Sequence, residues 1–131
     1  MTSILLVEDH PIFAKVLLRL LIERGHMEVV SVAGSAEEAL TQIPDLDVDL
    51  VLVDVSLPQR SGISLVLVLQ QQYPDLPCIM LSGHLSPQYV RRALDVGARG
   101  YLIKDHPEDI LEGIRHVLDG QVYISEVLRD L

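Results

Sequence analysis

Asp49-Leu50-Val51-Leu52-Val53-Asp54 is an apolar run of strand length bracketed by two acids. With no polar residue alternating through it, it reads as a strand buried on both faces, which delivers the carboxylate of Asp54 to the point where the strand stops. Ile4-Leu5-Leu6-Val7 delivers Glu8 and Asp9 in the same way, and Tyr101-Leu102-Ile103 delivers Lys104. Ligands of open α/β sheets bind beyond the carboxyl ends of the strands, so these ends are where chemistry is expected. Three acids and one amine gathered there suggest a metal ion and a phosphoryl group. Carboxylate oxygens suit a hard divalent cation such as Mg2+, and the lysine supplies positive charge for the phosphate.

Outward from this run, strand-length apolar segments alternate with longer stretches of helical periodicity, the pattern of repeated βα units around a parallel sheet. Five strands are expected at Ser3 to Val7, Glu28 to Ala33, Leu50 to Asp54, Cys78 to Ser82 and Gly100 to Ile103. Each helix carries its own punctuation. Pro11 suits a first helical position, Phe13, Val16, Leu17, Leu20 and Leu21 form one apolar stripe behind it, and Gly25 ends the segment. Ser35-Ala36-Glu37-Glu38 has the spacing of a capping box, and Pro44 closes the helix it opens. A third helix runs from about Gly62 to Tyr73, and Pro87 and Pro107 open the fourth and fifth. In the third, Leu65, Val66 and Leu69 read as core, while Leu67 and Val68 widen the apolar surface enough to suggest a further buried contact, such as a dimer.

One domain is expected from 131 residues, enough to bury a real core without staples. The lone Cys78 reads as a small buried hydrophobe in a reducing compartment. Met1 to Asp9 lacks the basic start and long apolar core of a secretory leader, and no uncharged run approaches the about 20 residues of a membrane span. A soluble, cytoplasmic protein with no membrane partner is therefore expected. Nineteen acids against ten bases give a net charge of −9, which argues against direct nucleic-acid binding by this chain. Arg91-Arg92 reads as a solvated helix face. Residues 1–120 read as the domain and 121–131 as an amphipathic tail, either closing the domain or beginning a linker.

With strand order 2-1-3-4-5, Glu8, Asp9 and Asp54 converge between the first and third strands, and the repulsion among them calls for a cation. Ser82 and Lys104 end the neighbouring strands. Such an inventory places Asp54 as a nucleophile that forms an aspartyl phosphate, with catalysis by positioning and charge neutralisation. In order and interval, Glu8-Asp9, Asp54 with Pro58 and Gly62, Ser82, Tyr101 and Lys104 resemble the receiver domains of two-component response regulators (CheY-like) over residues 3–120. Glu8-Asp9-His10-Pro11 and Gly97 to Asp105 are similar to the branch that usually precedes a LuxR/NarL-type helix-turn-helix output domain, which is absent here.

The resemblance implies a doubly wound, five-stranded parallel sheet of the flavodoxin-like (βα)5 type. It implies transfer of a phosphoryl group to Asp54 from the phosphohistidine of a sensor histidine kinase or phosphotransfer protein, and a phosphorylation-dependent homodimer as an outcome. Mg2+ would be held by Asp9, Asp54 and the backbone carbonyl of Ser56, with Glu8 acting through metal-bound water. Ser82 would turn toward the phosphoryl group and Tyr101 would move inward behind it, changing a partner-binding surface. Ser56 and His84 occupy positions that tune phosphate lifetime, and Pro58 and Gly62 set loop geometry. Asp105 after Lys104 replaces a common proline, so a trans peptide bond is expected there.

Two rivals share parts of this inventory. An aspartate-nucleophile, Mg2+-dependent phosphatase wants a second acid two residues after the nucleophile, where Ser56 stands. A flavin- or nucleotide-binding module wants a Gly-rich phosphate loop after the first strand, where Glu8 and Asp9 would repel phosphate. His10, His84 and His106 follow strands but lack metal-ligand spacing, and read as loop histidines.

Overall fold

The computed structural model describes residues 1–129. Strands β1 (Ser3–Val7), β2 (Glu28–Ala33), β3 (Leu50–Asp54), β4 (Cys78–Ser82) and β5 (Gly100–Ile103) alternate with helices α1 (Pro11–Glu23), α2 (Ala36–Gln42), α3 (Gly62–Gln72), α4 (Pro87–Asp95) and α5 (Pro107–Leu118). All the strands of the sheet pair in parallel. Every residue of β3, β4 and β5 is buried, as their unbroken apolar composition demands of strands covered on both faces. At the edge, β2 is largely half-exposed and carries polar residues.

The sheet has six strands in the order β2-β1-β3-β4-β5-β6, where five were expected. The sixth, β6 (Tyr123–Ile124), lies in the tail, followed by a short helix α6 (Glu126–Arg129). Two residues are too few for periodicity to announce a strand; partnership with β5 makes it one. Tyr123 N–H donates to Arg99 O at 3.0 Å and Ser125 N–H to Tyr101 O at 2.9 Å. The fully buried Ser125 then uses its hydroxyl to accept from Ile103 N–H at 3.0 Å, so a side chain completes the ladder where the strand ends. Tyr123 closes the edge from above. Its hydroxyl bonds the Asp109 carboxylate on α5, and the Arg129 guanidinium lies 4.8 Å from its ring centroid.

Two cores flank the sheet. Leu5, Val51, Val53, Leu65, Leu69, Met80 and Tyr101 lie on the α2–α4 side, and Ile4, Leu6, Leu17, Leu21, Leu52, Leu102 and Ile114 on the α1/α5 side. Cys78 is buried, and burial pushes its thiol up to about 12. The helix starts behave as their sequences predict. Ser35, Ser61 and Ser86 accept from the amides of Glu38, Ser64 and Tyr89, and the Glu38 carboxylate accepts from Gly34 N–H. One stripe residue departs: Val16 is 60% exposed, and Leu17 and Leu21 alone of the α1 stripe are fully buried. Adjacent helical residues point about 100° apart, so Leu17 facing the sheet turns Val16 to the flank. On α3, Leu65, Val66 and Leu69 are buried while Leu67 is exposed.

Ser125→Ala removes the partner of a buried amide, and the variant is expected to lose about 1–3 kcal/mol of stability by denaturant unfolding. A wild-type midpoint in that variant would mean the tail does not hold the β5 edge.

Candidate functional site

Strand ends set the site. The three central strands are in register, with Val7 beside Val53 and Asp54 beside Leu81. The residues following β1 and the last residue of β3 therefore emerge together. Glu8 and Asp54 are buried and Asp9 is exposed. Oxygens of these three carboxylates lie within 4.8 Å of one another, the grouping of potential metal ligands found among the described residues.

Lys104, from the end of β5, reaches across to them. Its ammonium lies 2.6 Å from Glu8 Oε1 and 3.3 Å from Asp54 Oδ2. Glu8 Oε2 accepts from His10 N–H at 3.0 Å, and Asp54 Oδ1 from Ser56 N–H at 3.1 Å. Glu8 Oε1, by contrast, has only the ion pair and no well-directed hydrogen bond. Burial holds the Glu8 carboxyl above its ordinary range; Lys104 and the His10 amide oppose that rise, and the Asp54 charge adds to it. Three carboxylates against one ammonium leave two negative charges uncompensated. The all-oxygen donor set fits a divalent cation of the hard class.

The β3–α3 loop is shaped by Gly62, whose N–H donates to Val55 O at 2.9 Å. A Cβ there would stand 2.0 Å from Asp54 O, so the loop folds back against the acid's own backbone only with glycine. Pro58 precedes Gln59, whose φ of 68° turns the chain, and Arg60 N–H bonds Pro58 O at 2.7 Å. Ser56 is exposed at the loop's start, with its amide committed to Asp54.

On the other flank, Ser82 ends β4 with its hydroxyl buried. That hydroxyl donates to His84 O at 3.1 Å and accepts from His84 N–H at 3.0 Å, closing a tight loop on itself. Tyr101 points inward and is fully buried; its hydroxyl lacks a well-directed partner. Burial pushes that hydroxyl up, and the nearby Ser82 hydroxyl offsets only part of the rise. His84 and His106 are exposed, and His10 caps α1 by accepting from Phe13 N–H at 3.3 Å. No cis peptide bond occurs among the described residues, so Asp105 follows Lys104 through a trans bond.

Glu8, Asp9, Asp54 and Lys104 thus meet at the strand ends, and Ser82 ends the strand next to β3. Two participants were not foreseen. Phe13 belongs by periodicity to the core stripe of α1, yet its ring centroid lies 4.7 Å from the Lys104 ammonium. The backbone of His84, rather than its imidazole, holds Ser82. The one signal for Phe13 was its position a helical turn beyond Asp9.

The response regulator receiver domain family matches residues 4–115. The chain is 41% identical over 127 residues to the transcriptional activator protein ExaE of Pseudomonas putida, an alignment covering 96% of this chain and 59% of that protein. It is 35% identical over 126 residues to the transcriptional regulatory protein UhpA of Escherichia coli K12, covering 95% and 63%. Among solved structures, a two-component response regulator of the LuxR family from Aurantimonas sp. SI85-9A1 superposes with a TM-score of 0.94 at 28% identity, covering 99% of this chain and 94% of that one. The chain spans roughly half to just under two thirds of the length of the curated relatives it matches. Among the described residues, no helix is long and apolar enough to cross a membrane. With a buried acid at the mouth of the third strand, an acidic pair beside it and a lysine bridging them, the chain belongs to the response regulator receiver domain family of two-component signalling.

Proposed function

We propose that Asp54 accepts a phosphoryl group from the phosphohistidine of a sensor histidine kinase or phosphotransfer protein, and that the resulting aspartyl phosphate switches a partner-binding surface. The observation that supports this most directly is the Lys104 ammonium lying 3.3 Å from Asp54 and 2.6 Å from Glu8, at the mouth of three in-register strands. In the transfer, an Asp54 carboxylate oxygen bonds to phosphorus as the bond from phosphorus to the donor nitrogen breaks, and that nitrogen keeps the electron pair. With acetyl phosphate as donor, acetate leaves instead. Lys104 sits where charge on the transferring oxygens would otherwise meet Glu8 and Asp9.

Asp9, Asp54 and the backbone carbonyl of Ser56 would hold Mg2+, with Glu8 acting through a water on it. When bound, the ion supplies charge neutralisation that the site's single ammonium leaves incomplete. Once Asp54 carries phosphate, the Ser82 hydroxyl exchanges its His84 backbone partners for a phosphoryl oxygen. Tyr101, already fully buried, would follow by shifting into the space that Ser82 leaves. Ser56 and His84 flank the opening and set access of water, hence phosphate lifetime. Residues 1–120 form the proposed receiver, and the tail from 121, whose β6 pairs with β5, either closes the domain or begins a linker, with a phosphorylation-dependent homodimer as one outcome. Cytoplasmic residence follows from a kinase partner. Direct contact with nucleic acid is left to other chains or domains by the charge of −9.

Three measurements bear on this reading. Acetyl phosphate with Mg2+ is expected to add one phosphoryl group by intact mass, and both Asp54→Asn and chelation by EDTA to prevent it. A labelled Asp54→Asn protein would refute the assignment. Lys104→Ala is expected to slow the same reaction on the order of a hundredfold, and an unchanged rate would remove the lysine from the mechanism.

The third concerns pH. Because the Glu8 carboxyl is raised above its ordinary value of 4.5 in the fold, its contribution favours the folded state below that pH and is lost as pH rises through the elevated value. At pH 7 without divalent cation, Glu8→Gln should therefore melt at a higher temperature than wild type, with the gain vanishing below pH 4.5. Coincident melting curves at pH 7 would show that Lys104 fully compensates the buried charge.

A further inference from the structure

Phe13 is the chain's single phenylalanine. It is half-buried at the rim of the α1/α5 core, and its contact with Lys104 falls within the about 6 Å over which a ring quadrupole attracts a cation. The ammonium is thus held from three sides, by Glu8 at 2.6 Å, by Asp54 at 3.3 Å and by the ring at 4.7 Å from its centroid. Two of these holders are the anions that a cation would neutralise.

We propose that Phe13 is a positioning residue for phosphorylation, a π-face rest that keeps the Lys104 ammonium beside Asp54 when the carboxylates no longer hold it by charge. The inference rests on the receiver reading above. A lysine is a point charge on a flexible four-carbon stem, so it follows its anions and drifts when their charge is taken up. The ring is neutral, and its attraction for the ammonium survives that change. Its backbone is fixed as well: Phe13 stands in the first turn of α1, and its amide donates to His10 Nδ1 at 3.3 Å. Lys104 is mostly buried, with 18% of its side chain exposed, so the contact is partly shielded from water, where such attractions are stronger. Pro107 and Ile110 of α5 line the same groove as the ring and the lysine. Leucine would fill much of the same volume and offer no quadrupole.

The test compares the intact chain and its Phe13→Leu, Phe13→Trp, Lys104→Ala and Phe13→Leu/Lys104→Ala variants. Two quantities are read: the rate of Asp54 phosphorylation by acetyl phosphate at saturating Mg2+, and the NMR shift of the Lys104 ε-methylene protons. Phe13→Leu is expected to slow phosphorylation about threefold to tenfold and Phe13→Trp to restore it. In the Lys104→Ala background Phe13→Leu should add nothing, because the ring acts through the lysine. The ε-methylene protons should lie upfield in wild type and move downfield in Phe13→Leu. A wild-type rate for Phe13→Leu, failure of tryptophan to rescue, or independent losses in the double variant would each overturn the proposal, the last assigning Phe13 to helix packing alone. A wild-type protein that takes no phosphoryl group on Asp54 would sink the receiver reading and this inference together. The lysine shift reports separately whether ring and ammonium meet.

Discussion

Two buried carboxylates share one ammonium, and the upper face of the molecule is organised around that imbalance. Isolated burial of a carboxylate costs several kcal/mol, on the order of what a small domain holds in total. Glu8 and Asp54 tolerate it because Lys104 lies between them and because the amides of His10 and Ser56 donate into them. The compensation is partial, since burial still holds the Glu8 carboxyl above its ordinary range. A site left short of positive charge suits a divalent cation, so residual strain and the proposed function have the same origin.

From that centre the structure runs outward along β4 and β5. Ser82 ends one strand beside Asp54, and Tyr101 stands on the next, buried with its hydroxyl unpaired. An unpartnered hydroxyl in a core is costly. Tyr101 is also where the tail attaches, because its carbonyl accepts from the Ser125 amide. β5 is therefore tied to Tyr123 and Ser125 by two backbone bonds and one buried hydroxyl. The Tyr123 hydroxyl, pushed up to about 12 by burial and by its Asp109 partner, ties the same segment to α5. Site, edge strand and tail are thus joined by contiguous hydrogen bonds.

Much of this was legible in the chain because the information is local. A run such as Leu50 to Asp54 has one way to be buried, and serine or proline at a helix start acts through the next three residues. The five main strands accordingly fall where composition places them. Glu8, Asp9, Asp54, Ser82, Tyr101 and Lys104 could be grouped because parallel strands bring their carboxyl ends to one edge, so position after a strand is itself a spatial coordinate. The limits appear where a residue's role depends on what lies across from it. Val16 and Leu17 are equally apolar, yet only the packing direction of α1 decides which one reaches the core.

By itself, then, the sequence determined the alternating α/β plan, the strand limits and the meeting of Glu8, Asp9, Asp54 and Lys104 at the strand ends, since each follows from periodicity and from the geometry of parallel sheets. Tertiary structure alone decided the rest. It made a sixth strand of Tyr123 and Ile124, which have strand character only against the β5 edge. It fixed Gly62 against the Asp54 carbonyl, set Ser82 on the His84 backbone and laid Phe13 beneath the Lys104 ammonium. Each of these is a contact between segments distant in the chain or turned toward each other by a loop, and such contacts have energies that no local pattern of residues records.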